Sequence, residues 1–196
     1  MQAKDTDVDL MLRVKEDDEE AFRALFRKHS PRVLQFVRRL VRDEGVADEL
    51  TQDVFVQLYR ARRRYRPDAR FSTWLYTIAM NLCRNERRRR EHQLRVRPEA
   101  AGDGDHAQAL DSPSRSAATA EEEVAGRELE GRLRGALAGL PDKQRTALLL
   151  SRVDGLAYRD VATVLKCSEG AVKALLFRAT QFLKRELRDV LDAERD

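Results

Sequence analysis

From Pro98 to Gly126 the sequence is rich in Ala, Gly, Ser, Asp and Pro and carries almost no large apolar side chain. Between Glu99 and Gly126 seven acidic residues stand against one arginine, a net charge of −6. Such a segment cannot bury enough apolar surface to offset the entropy of ordering it, and it reads as a linker that is disordered when free. Any core in these 196 residues must come from the two shorter blocks on either side. Charged residues make up 37% of the chain and aromatics 6%, which is lean for one large core and suits small helical domains. Helix formers dominate, and no alternating apolar pattern bounded by turn signals marks a strand. The expected fold is all-α: two small helical domains joined by a flexible acidic linker, with the first domain at 1–95, the linker at 96–126 and the second domain at 127–196.

In the first block, Asp7 to Lys15 reads as a short helix carrying Val8, Leu10, Met11 and Val14. Asp17, Asp18, Glu19 and Glu20 then charge the start of a longer helix, where acids suit the dipole. Ser30-Pro31 is expected to interrupt or restart that helix, with Val33, Phe36, Val37, Leu40 and Val41 continuing its packing face. Asp43-Glu44-Gly45 reads as a turn and Ala47 to Arg63 as the next helix, with Leu50, Val54 and Leu58 inward. Its outward side carries Asp48, Glu49, Gln52 and Asp53, either as a solvated face or as a docking patch for a basic protein helix.

After a loop at Arg64 to Arg70, the stretch from Phe71 to Arg90 has two faces at helical spacing. Phe71, Trp74, Leu75, Ile78, Ala79, Leu82 and Cys83 form an apolar stripe. Thr73, Tyr76, Thr77, Met80, Arg84, Arg87 and Arg88 form the opposite face. Ser72 is the expected N-cap, with Phe71 stapled onto Tyr76. Rings for bases and guanidinium groups for phosphates suit a nucleic acid. An arginine run at a helix end also suits plain solvent and complements the dipole. The wider window favours the nucleic acid: Arg62 to Arg97 holds twelve arginines, no lysine and three acids, a net of +9 in a chain whose total is +4.

The second block repeats helical periodicity. Leu129, Leu133, Ala136, Leu137 and Leu140 form one stripe, and Pro141-Asp142 opens a helix with Ala147, Leu148, Leu150 and Val153 as core candidates. Asp154-Gly155 ends it. Tyr158 to Leu165 is a short helix, Lys166-Cys167 a tight turn with Cys167 read as a small buried residue, and Ser168 caps a last helix running to about Val190. Short helix, turn and longer helix make a helix-turn-helix. The exposed start of its second helix offers Ser168, Glu169, Gly170, Lys173, Ala174, Phe177 and Arg178.

Several chemistries find no support. His29, His92 and His106 share no ligand spacing with each other or with Cys83 and Cys167, so no metal site is expected. There is no glycine-rich phosphate loop and no nucleophile elbow, so neither a cofactor nor an enzymatic activity is expected. The longest apolar runs are too short to cross a bilayer and the start of the chain is polar and acidic, which points to the cytoplasm.

Asp48-Glu49-Leu50-Thr51-Gln52-Asp53-Val54-Phe55 followed by Phe71-Ser72-Thr73-Trp74-Leu75-Tyr76-Thr77-Ile78-Ala79-Met80-Asn81 resembles the first conserved domain of bacterial RNA polymerase sigma factors of the extracytoplasmic-function group. Leu140-Pro141, Arg145, Gly155-Leu156-Ala157-Tyr158-Arg159-Asp160-Val161-Ala162, Gly170-Ala171-Val172-Lys173 and Phe177-Arg178-Ala179 resemble the second. The resemblance implies that Asp48, Glu49, Gln52 and Asp53 dock on the coiled coil of the largest subunit of core RNA polymerase. It implies that Arg66, Phe71, Ser72, Thr73, Trp74, Tyr76, Thr77, Asn81, Arg84, Arg87 and Arg88 meet the −10 element of promoter DNA as an unstacked strand. The helix from Ser168 would read the −35 element in the major groove, and an anti-sigma factor would hold the protein inactive. Asn85, Ala174, Leu175 and Thr180 depart from the common family pattern, which leaves the promoter sequence open. A helix-turn-helix regulator with a sensor or dimerisation domain is the alternative, and such a domain has no need of a stretch at net +9 like Arg62 to Arg97.

Overall fold

A computed structural model describes residues 6–41, 43–96 and 120–188. The described residues form helices and turns without a strand. Helices α1 (Thr6–Lys15), α2 (Glu19–Leu40), α3 (Glu44–Ala61) and α4 (Phe71–Val96) make the first domain, with a single 3-10 turn at Arg62–Arg64. Helices α5 (Ala120–Gly139), α6 (Asp142–Leu148), α7 (Tyr158–Leu165) and α8 (Glu169–Glu186) make the second. Helix α5 thus begins inside the segment read as linker, and the remainder of that segment, 97–119, lies outside the described residues.

Caps set the starts of the helices. The Asp18 carboxylate accepts from the Ala21 amide at 3.0 Å and opens α2. The Asp43 carboxylate does the same for Val46 at 3.0 Å, so Glu44 and Gly45 belong to the first turn of α3 and not to a free turn. At α4 the expectation of a Ser72 cap fails. The helix starts at Phe71, with the Thr73 amide already donating to the Arg70 carbonyl at 3.1 Å. Phe71 is fully buried, 5.1 Å from the His29 ring and 6.4 Å from Trp74, and makes no staple onto Tyr76.

Helix α2 also runs unbroken through Pro31. Proline in a helix interior costs about 3 kcal/mol or more. Here it stands on the exposed side, while Leu25, His29, Val33, Phe36 and Val37 hold the opposite side in the core. Burial of that whole stripe outweighs one lost backbone bond. Asp7 from α1 locks onto the same region, accepting from Lys28 at 2.6 Å and lying 3.1 Å from His29. Tyr65, buried behind the 3-10 turn, packs at 5.0 Å on Trp74 and fixes the chain between α3 and α4.

In the second domain one turn of π-helix, Leu149–Val153, extends α6. Gly155 then reverses the chain at φ +70°, a conformation open to glycine without strain. Lys166 takes the left-handed cap at φ 55° that ends α7, and the Cys167 amide donates back to the Ala162 carbonyl at 3.0 Å. Ser168 caps α8, accepting from the Ala171 amide at 3.2 Å. Helices α7 and α8 form the expected helix-turn-helix. Two core expectations fail: Val153 and Cys167 are exposed, and so are Leu129 and Leu133 of the α5 stripe.

The two domains meet along α4 and α7, and one apolar core runs continuously from Met11 to Leu176. This contact overturns the two-faced reading of α4. Thr73, Tyr76 and Met80 were expected outward, yet all three are buried. One side of α4 packs on α2 and α3 and the other is covered by α7.

Candidate nucleic-acid interfaces

Three charged or ring-bearing surfaces stand out. The first lies on α3, where Asp48, Glu49, Gln52 and Asp53 are all exposed. Their spacing at i, i+1, i+4 and i+5 sets them on one helical face. Asp48 is engaged by Arg38 at 3.4 Å, a partly screened pair of little energetic weight. Next to Gln52 runs a shallow apolar groove lined by Phe22, Phe26, Phe55, Val56 and Tyr59. Its walls are held by edge-on ring pairs, Phe22 on Tyr59 at 5.2 Å and Phe26 on Phe55 at 4.8 Å.

The second surface is the arginine-rich stretch around α4. Many of its charges are spent inside the protein. Arg62 binds Asp17 at 2.6 Å and lies 4.0 Å over the Tyr59 ring. Glu86, buried near the end of α4, accepts from Arg89 at 2.7 and 2.9 Å and from Arg90 at 2.9 Å. The Arg89 guanidinium beside it holds the Glu86 carboxyl below its ordinary range, against the effect of burial. Arg90 reaches on to Asp43, the cap of α3, at 3.3 Å. The spacing of Glu86 to Arg89 and Arg90 at i+3 and i+4 is a signal that a sequence reading could have used. Arg87 contacts Asp142 of the second domain and Glu91 on its own helix.

The residues expected at the −10 element divide accordingly. Arg66, Asn81, Arg87 and Arg88 are exposed, and Ser72, Trp74, Thr77 and Arg84 are half-buried. Phe71, Thr73 and Tyr76 are buried. Among the described residues Arg88 makes no ion pair, so its charge faces solvent. The Thr77 hydroxyl is turned back onto the Thr73 carbonyl at 2.7 Å. The Tyr76 hydroxyl donates to Asp154 at 2.6 Å, and burial raises the phenol's pKa. Cys83, on the packing side, has its thiol pushed up to about 12 by burial.

The third surface is α8. Ser168, Glu169, Gly170, Lys173, Ala174, Phe177 and Arg178 are all exposed, as expected, and Phe177 is 65% exposed. The opposite side of α8 places Val172, Leu176 and Ala179 in the core. Helix α8 is therefore seated from behind and open in front, with a cation one turn and another more than two turns from its capped end. Among the described residues no group of His, Cys, Asp or Glu is arranged to hold a metal ion.

The class these features define is an all-helical, two-domain protein that pairs a basic helical module with a helix-turn-helix. Residues 25–93 match the family described as Sigma-70 region 2, and residues 130–183 match Sigma-70, region 4. The RNA polymerase sigma-H factor of Pseudomonas aeruginosa is 34% identical over 97% of this chain and 98% of that protein. The ECF RNA polymerase sigma-E factor of Escherichia coli is 30% identical over 95% of this chain and 96% of its own length. Two solved structures share the fold. CnrH, in complex with the cytosolic domain of CnrY, superposes with a TM-score of 0.67 at 24% identity, covering 96% of this chain and 99% of that one. The sigma factor RpoE of Bartonella quintana, in complex with the anti-sigma factor NepR, gives 0.69 at 20% identity over 85% of this chain and 96% of that one. The chain belongs to the sigma-70 family, as an RNA polymerase sigma factor of the extracytoplasmic-function group. Such proteins are regulatory subunits, and no helix among the described residues is long and apolar enough to cross a membrane.

Proposed function

We propose that this sigma factor divides promoter recognition between its three surfaces, with residues 1–95 and 127–196 as working domains and 96–126 as the tether. Asp48, Glu49, Gln52 and Asp53 dock on the coiled coil of the largest subunit of core RNA polymerase, a basic helical partner that suits four exposed acceptors in one row. The loop from Arg66 and the helix α4 meet the −10 element as single-stranded DNA, with Trp74 and Tyr76 for bases and Arg84, Arg87 and Arg88 for phosphates. Helix α8 enters the major groove at the −35 element, with Lys173 on a base edge and Arg178 on a phosphate. The protein works in the cytoplasm without catalytic activity of its own, and an anti-sigma protein is its expected regulator. The observation that carries this reading is α8 itself. It is capped by Ser168, packed from behind through Val172 and Leu176, and presents Lys173, Phe177 and Arg178 outward.

The test is transcription in a purified system with core polymerase and a candidate promoter. Initiation that depends on this protein, and is lost when both promoter elements are scrambled, is the expected result. Core polymerase that initiates equally with and without the protein would overturn the reading.

A further inference from the structure

Helix α1 belongs to none of the three surfaces, yet the turn after it is tied to the stem of the loop assigned to the −10 element. Asp17, two residues beyond α1, takes φ +65°. The Asp17 amide donates to the Val14 carbonyl at 3.0 Å and the Asp18 amide to the Arg13 carbonyl at 3.1 Å. This is the left-handed helix stop that usually holds glycine, because a Cβ is crowded there by the backbone. Aspartate in that position stores strain, and such residues cluster where a side chain has work to do.

Both oxygens of the Asp17 carboxylate are engaged from far along the chain. Arg62 donates to one at 2.6 Å and Arg63 to the other at 3.4 Å. The Arg63 side chain is 75% exposed, so its link is weak. That of Arg62 is 18% exposed and is also held from behind, donating to the Tyr59 carbonyl at 2.9 Å and lying over the Tyr59 ring. A guanidinium fork fixed in advance loses little freedom on pairing. It holds the Asp17 carboxyl below its ordinary range.

Arg62 and Arg63 open the 3-10 turn from which the loop leaves. Tyr65, next in the chain, is buried, and its carbonyl accepts from Lys15 of α1 at 3.5 Å. Residues 66–70 then run exposed. At their far end Phe71 is buried against His29, which meets Asp7 near the start of α1. The loop is thus open in its middle, while both its ends are tied back to α1 and the turn that follows it. Fixing the ends of so short a loop removes much of its freedom before any strand binds, which lowers the ordering cost of recognition.

We propose that Asp17 is a positioning residue for −10 recognition. Through Arg62 and the 3-10 turn its carboxylate sets the direction in which residues 66–70 leave the domain, so that the loop meets an unstacked strand already formed. Asp17 touches no DNA itself and acts only through the arginines. This rests on the assignment of the loop from Arg66 to the −10 element.

The test uses the full chain with core polymerase and promoters that differ at single −10 positions, comparing wild type with Asp17→Asn and Asp17→Gly. Asparagine keeps the shape and loses the charge, whereas glycine loses the side chain and takes φ +65° without strain. Both variants should lower discrimination between the preferred and the substituted −10 element by roughly three- to tenfold, a part of what one base contact supplies. Freed arginines raise affinity for any DNA, so the readout is a ratio between promoters and not a single affinity. Discrimination at the −35 element and affinity for core should keep their wild-type values. The Tm of Asp17→Gly should stay near that of wild type, since relief of strain offsets the lost exposed pairs. Arg62→Gln should produce the same fall, and its combination with Asp17→Asn no more than either change alone. Unchanged −10 discrimination in both Asp17 variants overturns the proposal. So does a fall shared equally by the −35 element and core affinity, which marks a general loss of fold, or an additive fall in the double variant. A chain whose residues 66–70 are replaced by a glycine–serine loop of equal length separates the two readings. If it keeps wild-type −10 discrimination, the assignment of the loop falls and the proposal with it; if it loses discrimination while the Asp17 variants keep it, only the positioning role falls.

Discussion

Glu86→Gln tests whether the arginine run is a free cationic surface or a partly internal clamp. The side chain of Glu86 is 8% exposed and accepts three hydrogen bonds from Arg89 and Arg90 at 2.7 to 2.9 Å. Bonds to charged groups contribute about 1.5–3 kcal/mol each when sheltered. Here the arginine side chains are 60% and 38% exposed, so solvent screens most of that. Glutamine keeps the shape, retains one acceptor and turns an amide toward guanidinium groups. The net cost is about 1–2 kcal/mol, or roughly 2–8 °C in Tm for a chain of this size. The pH dependence follows from linkage. The Arg89 guanidinium lowers the Glu86 carboxyl below its ordinary 4.5 in the folded protein. Its stabilisation is therefore present above that value and lost as pH falls through the lower, folded one. The gap between wild type and variant should be full at pH 7 and shrink as pH falls below 4.5 and on through the lower, folded value. Releasing Arg89 and Arg90 should also steepen the salt dependence of DNA binding by up to about two units of slope. Thermal unfolding from pH 3 to 7 and a salt titration decide it. An unchanged Tm at pH 7, or a gap of equal size at pH 3, refutes the clamp.

Three further outcomes follow from the surfaces. Replacing Asp48, Glu49 and Asp53 together by lysine should leave the fold intact, since all three are exposed, and should abolish assembly with core polymerase by several kcal/mol of reversed charge; a folded triple variant that still co-purifies with core would refute the docking assignment. Lys173→Ala should relax preference at one −35 position by about 1–3 kcal/mol, whereas Arg178→Ala should weaken all promoters alike and lower the salt slope by about one; transcription from promoter variants would expose the reverse pattern. Iodoacetamide should modify Cys167 in the native protein and spare Cys83, whose buried thiol is pushed up to about 12, until denaturant is added; mass spectrometry showing equal labelling would contradict the packing of α4.

What the sequence determined by itself is local. The helical class, the starts at Asp18 and Ser168, the reversal at Asp154-Gly155 and the turn at Lys166-Cys167 all follow from periodicity and capping, which act over a few residues. The exposed rows on α3 and α8 were legible for the same reason, since one buried stripe on a helix leaves the opposite side outward. Only the tertiary structure decided the fate of α4. A helical pattern marks a second face as mild or polar, but cannot say whether solvent or another helix covers it. Tyr76 is held inward because Asp154, from beyond the tether, comes back onto its hydroxyl while α7 packs along α4. In the same way Pro31 is carried through α2 by partners on α1, α3 and α4, and Leu129 and Leu133 stay exposed because too little of the second domain reaches that part of α5. Burial is a property of pairs of segments, and the pairing of distant segments is not written in the spacing of either one.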